Sequence, residues 1–408
     1  MKLIRIIIFT ITVLIACPVL AYADQAAPRN MPDVSAKYAV LVEKNTGQII
    51  CEKNGYAKTS MASTTKIMTA LILCERCDLD EEIVTTKEMV TVEGSSMGLI
   101  EGDRVHYRDL LYGMLLASGN DAANTTAISI AGSIEEFAKL MNKKAAEIGM
   151  TNTNFVTPSG LDDENHYTTA ADMAKLGVYA MKNKDFAAAC ASKTATLEYG
   201  NPPYRRTLSN HNKLLRYYDG AIGIKTGFTK KSGRCLVSCA EKNGMGVIAV
   251  TLNAPNDWSD HATLLDYGFS QLETHELYTP TDIFKTSVAN TNENLTVGFT
   301  PPTATLLPEQ FDKITFKTEM ERLLFAPIKK GEKIGATRVI PLIIDEKKII
   351  EAENIINEKI ISVEEIKPKK AVLITTGNEV YKGRIKDAFL PVMKEKLGYY
   401  GSEIIKQV

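Results

Sequence analysis

In the stretch Ala62-Ser63-Thr64-Thr65-Lys66-Ile67-Met68-Thr69, a serine and a lysine stand three residues apart, and the apolar run that follows predicts a helix over Ser63 to Leu73. Residues three apart on a helix share a face, so the hydroxyl and the ammonium project together. Serine is a poor nucleophile at its free pKa and needs a base. A helix N-terminus favours developing negative charge, and a desolvated lysine can accept the hydroxyl proton. Alone, S-x-x-K is a common chance pattern on solvated helix faces, so its meaning depends on what accompanies it.

Two further elements accompany it. Ser118-Gly119-Asn120 follows the apolar run Leu110 to Ala117, which would bring a second hydroxyl and a carboxamide to the end of a buried helix. Lys225-Thr226-Gly227 is expected to end a strand, where Gly227 would let a ligand backbone approach the edge. S-x-x-K, S-D-N and K-T-G, in this order, are the motif set of penicillin-binding proteins and class A β-lactamases. Here Gly119 stands where that set has aspartate.

The flanks extend the match. Leu116-Ala117-Ser118-Gly119-Asn120-Asp121-Ala122-Ala123, Gly223-Ile224-Lys225-Thr226-Gly227, Ser159-Gly160-Leu161-Asp162, His166 to Met173 and Leu265-Asp266-Tyr267-Gly268-Phe269 resemble the low-molecular-mass penicillin-binding proteins, the serine D-alanyl-D-alanine carboxypeptidases. The similarity covers roughly Ala36 to Gly335. It implies an α/β fold of the penicillin-binding-protein and β-lactamase type, an antiparallel sheet with helices, followed by a small β-rich domain.

The resemblance further implies Ser63 as acyl-forming nucleophile, Lys66 as general base, and Ser118 as proton relay to the leaving D-alanine. Asn120 would hold the substrate amide. Lys225 and Thr226, with Thr229, would bind the terminal carboxylate beside Gly227, and the N–H groups of Ser63 and Phe228 would form the oxyanion hole. Such donors act where charge develops, at about 3 kcal/mol each. Phe228 and Ser159 stand where the family often has histidine, and Ser159 is given no role; Asp162, His166 and Asp172 read as structural. The expected partners are peptidoglycan stem peptides and β-lactam antibiotics, with no cofactor. Rival readings are a β-lactamase, a transpeptidase of the same fold, and a catalytically dead wall-binding protein. No separate glutamate motif for a class A deacylating water is found.

Bulk properties agree with a folded domain and local recognition. The 408 residues are 45% hydrophobic and 24% charged, and the formal net charge of -1 gives no electrostatic reason to expect nucleic acid. Two positive charges in Met1 to Arg5, the apolar stretch Ile6 to Cys17, Pro18 and Ala21-Tyr22-Ala23 predict a signal peptide over 1–23 and a mature start at Asp24 outside the cytoplasm. A retained membrane helix fits less well because the apolar run is short, and Pro18 counts against lipidation at Cys17. Cys74 and Cys77, and Cys235 and Cys239, lack the histidine spacing of a zinc site; whether they form disulfides is open.

The catalytic domain is expected over 24–272 and the β-rich domain over 273–338, where short alternating runs such as Leu295 to Phe299 appear. The remainder, 339–408, departs from the family. Val372 to Ile385 resembles the opening of a molybdopterin-binding domain, which is expected to be a fused fragment and not a cofactor site. Ile385, Phe389, Val392, Met393 and Leu397 beside Lys386, Lys394 and Lys396 would give a peripheral membrane contact, with Pro391 against it.

Overall fold

The computed structural model describes residues 30–276 continuously and, beyond them, short stretches between 284 and 407. The chain separates into two compact units, Met1–Ile340 and Pro341–Val408. The signal segment and the apolar stripe from Ile385 to Leu397 lie outside the described residues, as does the glycine turn after Val372.

The first unit is built on strands β1 (Tyr38–Glu43) and β2 (Ile49–Lys53), helices α1 (Lys66–Arg76), α2 (Tyr107–Leu115), α3 (Asn120–Ala131), α4 (Ile134–Ile148) and α5 (Ala170–Ala180), and strands β3 (Ala221–Thr229), β4 (Gly233–Lys242) and β5 (Met245–Leu252), closed by α6 (Asp257–Gln271). The strands form one antiparallel sheet in the order β2-β1-β5-β4-β3. Its first and last segments therefore meet at β1 and β5, so the sheet closes only when both ends of the catalytic region are present.

Alternation along the strands divides the core. Val40, Val42, Val237, Ile248 and Val250 meet Ile67, Met68 and Leu71 of α1 on one face. Leu41, Leu236, Val247 and Ala249 meet Leu264 and Leu265 of α6 on the other. Burial on both faces explains why these strands read as nearly continuous aliphatic runs. Helix starts follow side-chain capping: Ser133 Oγ accepts from Glu136 N at 3.2 Å, and Thr169 Oγ1 accepts from Asp172 N at 3.0 Å.

Two expectations shift. The segment after Ala62 begins as a 3₁₀ turn, Ala62–Thr65, and the α-helix proper starts at Lys66. Lys225-Thr226-Gly227 lies within β3 and does not end it, because Phe228 and Thr229 still pair with Arg234 and Gly233 across the hairpin. A helix, Lys184–Ala191, and a hairpin, Thr194–Gly200 with Pro203–Ser209, occupy a stretch for which no element was read from the sequence.

Beyond α6 the described stretches are mostly strands: Glu273–Glu276 pairs with Thr303–Leu306, and Phe284–Val288 with Asn294–Val297. In the second unit, Lys370–Leu373 and Glu403–Gln407 pair in parallel.

Candidate active site

A cavity of about 510 Å³ is lined by residues that include Ser63, Ser95, Ser118, Thr226, Gly227, Phe228, Arg234, His211 and Trp258. It lies along β3, the edge strand of the sheet. Edge strands present outward N–H and C=O groups to solvent or to an added strand.

Ser63 is carried on the 3₁₀ turn and Lys66 is fully buried beneath it. Lys66 Nζ lies 2.9 Å from Ser63 Oγ, 2.7 Å from Asn120 Oδ1 and 2.6 Å from the Ser159 carbonyl oxygen. Asn120 Nδ2 donates to the Glu93 carbonyl at 2.5 Å, which fixes its amide so that the oxygen must face Lys66. Burial holds Lys66 well below its ordinary value of 10.5, the charge of Lys225 pushes it lower, and Asp121 opposes them. A neutral amine has two N–H donors and one lone pair. With Asn120 Oδ1 and Ser159 O accepting the donors, the lone pair is left for the Ser63 hydroxyl. The Ser159 carbonyl is thus part of the site, a role the sequence reading did not give it.

Ser118 occupies a left-handed conformation at φ 58°, a strain typical of functional turns. Its Oγ accepts from Lys225 Nζ at 3.0 Å, and Lys225 also donates to the Thr226 carbonyl at 2.8 Å. Lys225 is fully buried, and that burial brings it down to about 7. It stands behind Ser118 and is absent from the cavity lining, whereas Thr226 faces the cavity directly. Asp121, next to Asn120, accepts from Ser96 Oγ and from the N–H groups of Met97, Gly98 and Leu99 at 2.6–3.0 Å. It thereby orders the loop that supplies Ser95 to the cavity wall.

Gly227 is required by proximity. A Cβ there would fall 2.9 Å from Ser63 N and 3.0 Å from Thr64 N. The absent side chain lets β3 lie against the turn that carries Ser63, bringing Gly227 beside the Ser63 N–H.

Thr229 is placed differently from Thr226. Its Oγ1 donates to Asp162 Oδ1 at 2.9 Å, it also contacts Ser232 Oγ, and it does not line the cavity. Arg234, which the sequence reading missed, does line it. Arg234 sits directly across from Phe228 in the β3–β4 ladder, is half exposed, and its guanidinium makes a long contact, 3.8 Å, to Asp257.

The family pattern for D-alanyl-D-alanine carboxypeptidases matches residues 24–256. The chain belongs to the D-alanyl-D-alanine carboxypeptidase family. It is 35% identical over 315 residues to the D-alanyl-D-alanine carboxypeptidase DacF of Bacillus subtilis, covering 74% of this chain and 80% of that one. Among solved structures it is similar to a D-alanyl-D-alanine carboxypeptidase from Mycobacterium tuberculosis, with TM-score 0.57 and 31% identity over 63% of this chain and 96% of that one. It is likewise similar to a Streptomyces DD-transpeptidase, with TM-score 0.57 and 32% identity over 59% of this chain and 99% of that one. The α/β fold of this carboxypeptidase family, antiparallel sheet with helices, is the one described above.

Among the described residues of this carboxypeptidase-family chain, no group of three or more His, Cys, Asp or Glu side chains could hold a metal ion. The cysteines Cys51, Cys74, Cys77, Cys190, Cys235 and Cys239 are free thiols. Among the described residues, no helix is long and apolar enough to cross a membrane.

Proposed function

We infer that the chain is a serine-type, penicillin-binding D-alanyl-D-alanine carboxypeptidase that removes the terminal D-alanine from peptidoglycan stem peptides. The observation that carries this is the Lys66 Nζ set of contacts, which leaves the amine lone pair for Ser63. Neutral Lys66 takes the Ser63 proton as Oγ attacks the carbonyl carbon of the penultimate D-alanine. The tetrahedral oxyanion is held by the N–H groups of Ser63 and Phe228. When the C–N bond breaks, the proton taken by Lys66 is relayed through the Ser118 hydroxyl to the departing amine, with Lys225 behind Ser118 biasing its hydroxyl. Water then attacks the acyl ester and frees Ser63.

Thr226 and Arg234 suit the substrate's terminal carboxylate, since both line the cavity beside β3. Arg234 is the more direct cation because Lys225 is buried behind Ser118 and Thr229 is held by Asp162. The peptide would lie along the β3 edge as an added strand. β-Lactams would acylate the same serine. The second reading, a transpeptidase, is supported by the likeness to the Streptomyces DD-transpeptidase; it differs only in using an amine in place of water.

The reading places the enzyme outside the cytoplasm, exported by segment 1–23, with a catalytic domain over 24–272, a β-rich domain over 273–338 and an appended tail over 339–408. The tail would give at most a peripheral membrane contact. Incubating the mature protein with a soluble peptide ending in D-Ala-D-Ala should release D-alanine, and Ser63→Ala should release none. Release undiminished in Ser63→Ala would overturn the reading.

A further inference from the structure

The nucleophile turn is covered by a strap, residues 156–160, that touches it at several points. The Ser159 carbonyl accepts from Lys66 Nζ at 2.6 Å, and the Pro158 carbonyl accepts from Thr69 Oγ1 at 2.6 Å. Gly160 is left-handed at φ +85°, and a Cβ there would fall 2.0 Å from the Ala62 carbonyl oxygen. Ala62 is itself left-handed at φ 47°, unfavourable for a residue with a Cβ. Such a conformation persists only where its surroundings enforce it.

His166 bridges the two pieces. Its ring is buried edge-on against Phe155, with centroids 5.9 Å apart. On the strap side, Val156 N–H donates to Nδ1 at 3.0 Å, with Thr157 N–H at 3.4 Å. A ring nitrogen that accepts a backbone N–H carries no proton, so the proton of the neutral ring is on Nε2. Nε2 lies 2.8 Å from Thr65 Oγ1, and Thr65 Oγ1 donates onward to the Ala62 carbonyl at 2.8 Å. One polar chain therefore runs from the strap, through the imidazole, to the left-handed residue that immediately precedes Ser63.

We propose that His166, as its Nε2–H tautomer, is a positioning residue for acylation: it locks the strap bearing the Ser159 carbonyl onto the nucleophile turn and so keeps the Lys66 lone pair aimed at Ser63. The inference rests on Ser63 and Lys66 acting as assigned above. His166 touches no substrate. It acts through Thr65 on the turn and through Val156 and Thr157 on the strap. A misplacement of about 1 Å at a reacting pair costs on the order of a hundredfold in rate, so loosening this link should show in the chemical step.

The test uses the mature protein and a β-lactam, separating the non-covalent binding constant from the acylation rate constant, with melting temperature recorded for each variant. In His166→Leu, which removes all three ring hydrogen bonds, acylation should fall at least tenfold at a temperature where the protein is fully folded, with non-covalent binding within about threefold of the parent. His166→Gln, whose amide can restore the Nε2 donor, should recover a substantial part of the rate. Thr65→Val, which cuts the same chain one link later, should lose rate comparably, and the double variant His166→Leu with Thr65→Val should fall no further than the worse single one.

If the unsubstituted protein is not acylated, the functional reading fails and takes this inference with it. If it is acylated, and folded His166→Leu matches it within twofold, the positioning role is refuted on its own. A loss shared equally by binding and acylation, or one that merely tracks melting temperature, would also overturn it. Should His166→Leu not fold, Thr65→Val decides by the same criterion.

Discussion

Lys66 Nζ lies 2.9 Å from Ser63 Oγ while its other two polar neighbours, Asn120 Oδ1 and the Ser159 carbonyl oxygen, are groups that only accept. The pairing makes sense for a neutral amine, and burial supplies the neutrality by disfavouring the charged form. The proposed base is thus set by two acceptors, the Ser63 hydroxyl and a dry environment, with the groups drawn from three separate segments of the chain.

The replacement Lys66→Arg should therefore abolish base function while keeping a long cationic side chain, because guanidinium does not deprotonate near neutral pH. Acylation by a β-lactam should fall by about 10²–10⁴-fold, the range general-base catalysis supplies. In the parent enzyme, acylation should decline as pH drops through the lowered Lys66 pKa, since only the neutral amine takes the proton. Stopped-flow acylation rates across pH measure both effects; a Lys66→Arg variant within threefold of the parent would contradict the assignment.

Gly227→Ala tests the close approach of β3. Its new methyl would sit 2.9 Å from Ser63 N and 3.0 Å from Thr64 N, against backbone that has little room to yield. Overpacking of this kind costs about 1–3 kcal/mol, and here the displaced groups include the Ser63 N–H proposed as an oxyanion donor. Thermal unfolding should show a lower melting temperature, and acylation should drop at least tenfold under folding conditions. Parent-like values for both would mean that β3 and the turn are not pressed together.

Much of this site was legible in the sequence because its side chains come in short motifs, each spanning three or four consecutive residues. What escaped was the part made of backbone and of register. The Ser159 carbonyl has no side-chain signature, and the left-handed φ of Ala62 is invisible in an alanine. Arg234 reaches the cavity only through its cross-strand pairing with Phe228, which a sequence does not display. Thr229 was assigned to the carboxylate from its place after Lys225-Thr226-Gly227, but strand alternation turns it to the opposite face from Thr226, toward Asp162. The fold was readable for a different reason: the family resemblance implied it, and the aliphatic runs of the central strands agree with burial on both faces. The start of α1 and the end of β3 shifted, and the helix and hairpin between Lys184 and Ser209 went unread.

The buried histidine of α6 gives a stability prediction with a definite sign. His261 lies between Ser238 and Thr251, and burial lowers it from 6.5 to about 3. Between those values the unfolded chain binds a proton that the native ring refuses, so stability present above the unfolded value is lost as pH falls from about 6.5 toward 3. The share of this one ring is about 1.4 kcal/mol per pH unit across that window. Urea unfolding of the parent and of His261→Gln at several pH values should show the variant with the shallower acid slope. Equal slopes would mean that His261 is not held neutral.

For the tail, a protein shortened to end at Pro341 should keep full D-alanine release from a soluble peptide, because every group assigned to catalysis or to the carboxylate lies at or before Arg234. A large fall in turnover at an unchanged melting temperature would mean that residues beyond Pro341 contribute to the site.

The most direct test of the account is intact-mass measurement of the mature protein after brief exposure to a β-lactam, followed by peptide mapping of the adduct. One equivalent of added mass is expected, located on the peptide containing Ser63, with no adduct on Ser63→Ala of parent-like melting temperature. An adduct that persists in Ser63→Ala, or that maps to Ser118 or any other residue in the parent, would contradict the central claim that Ser63 is the nucleophile.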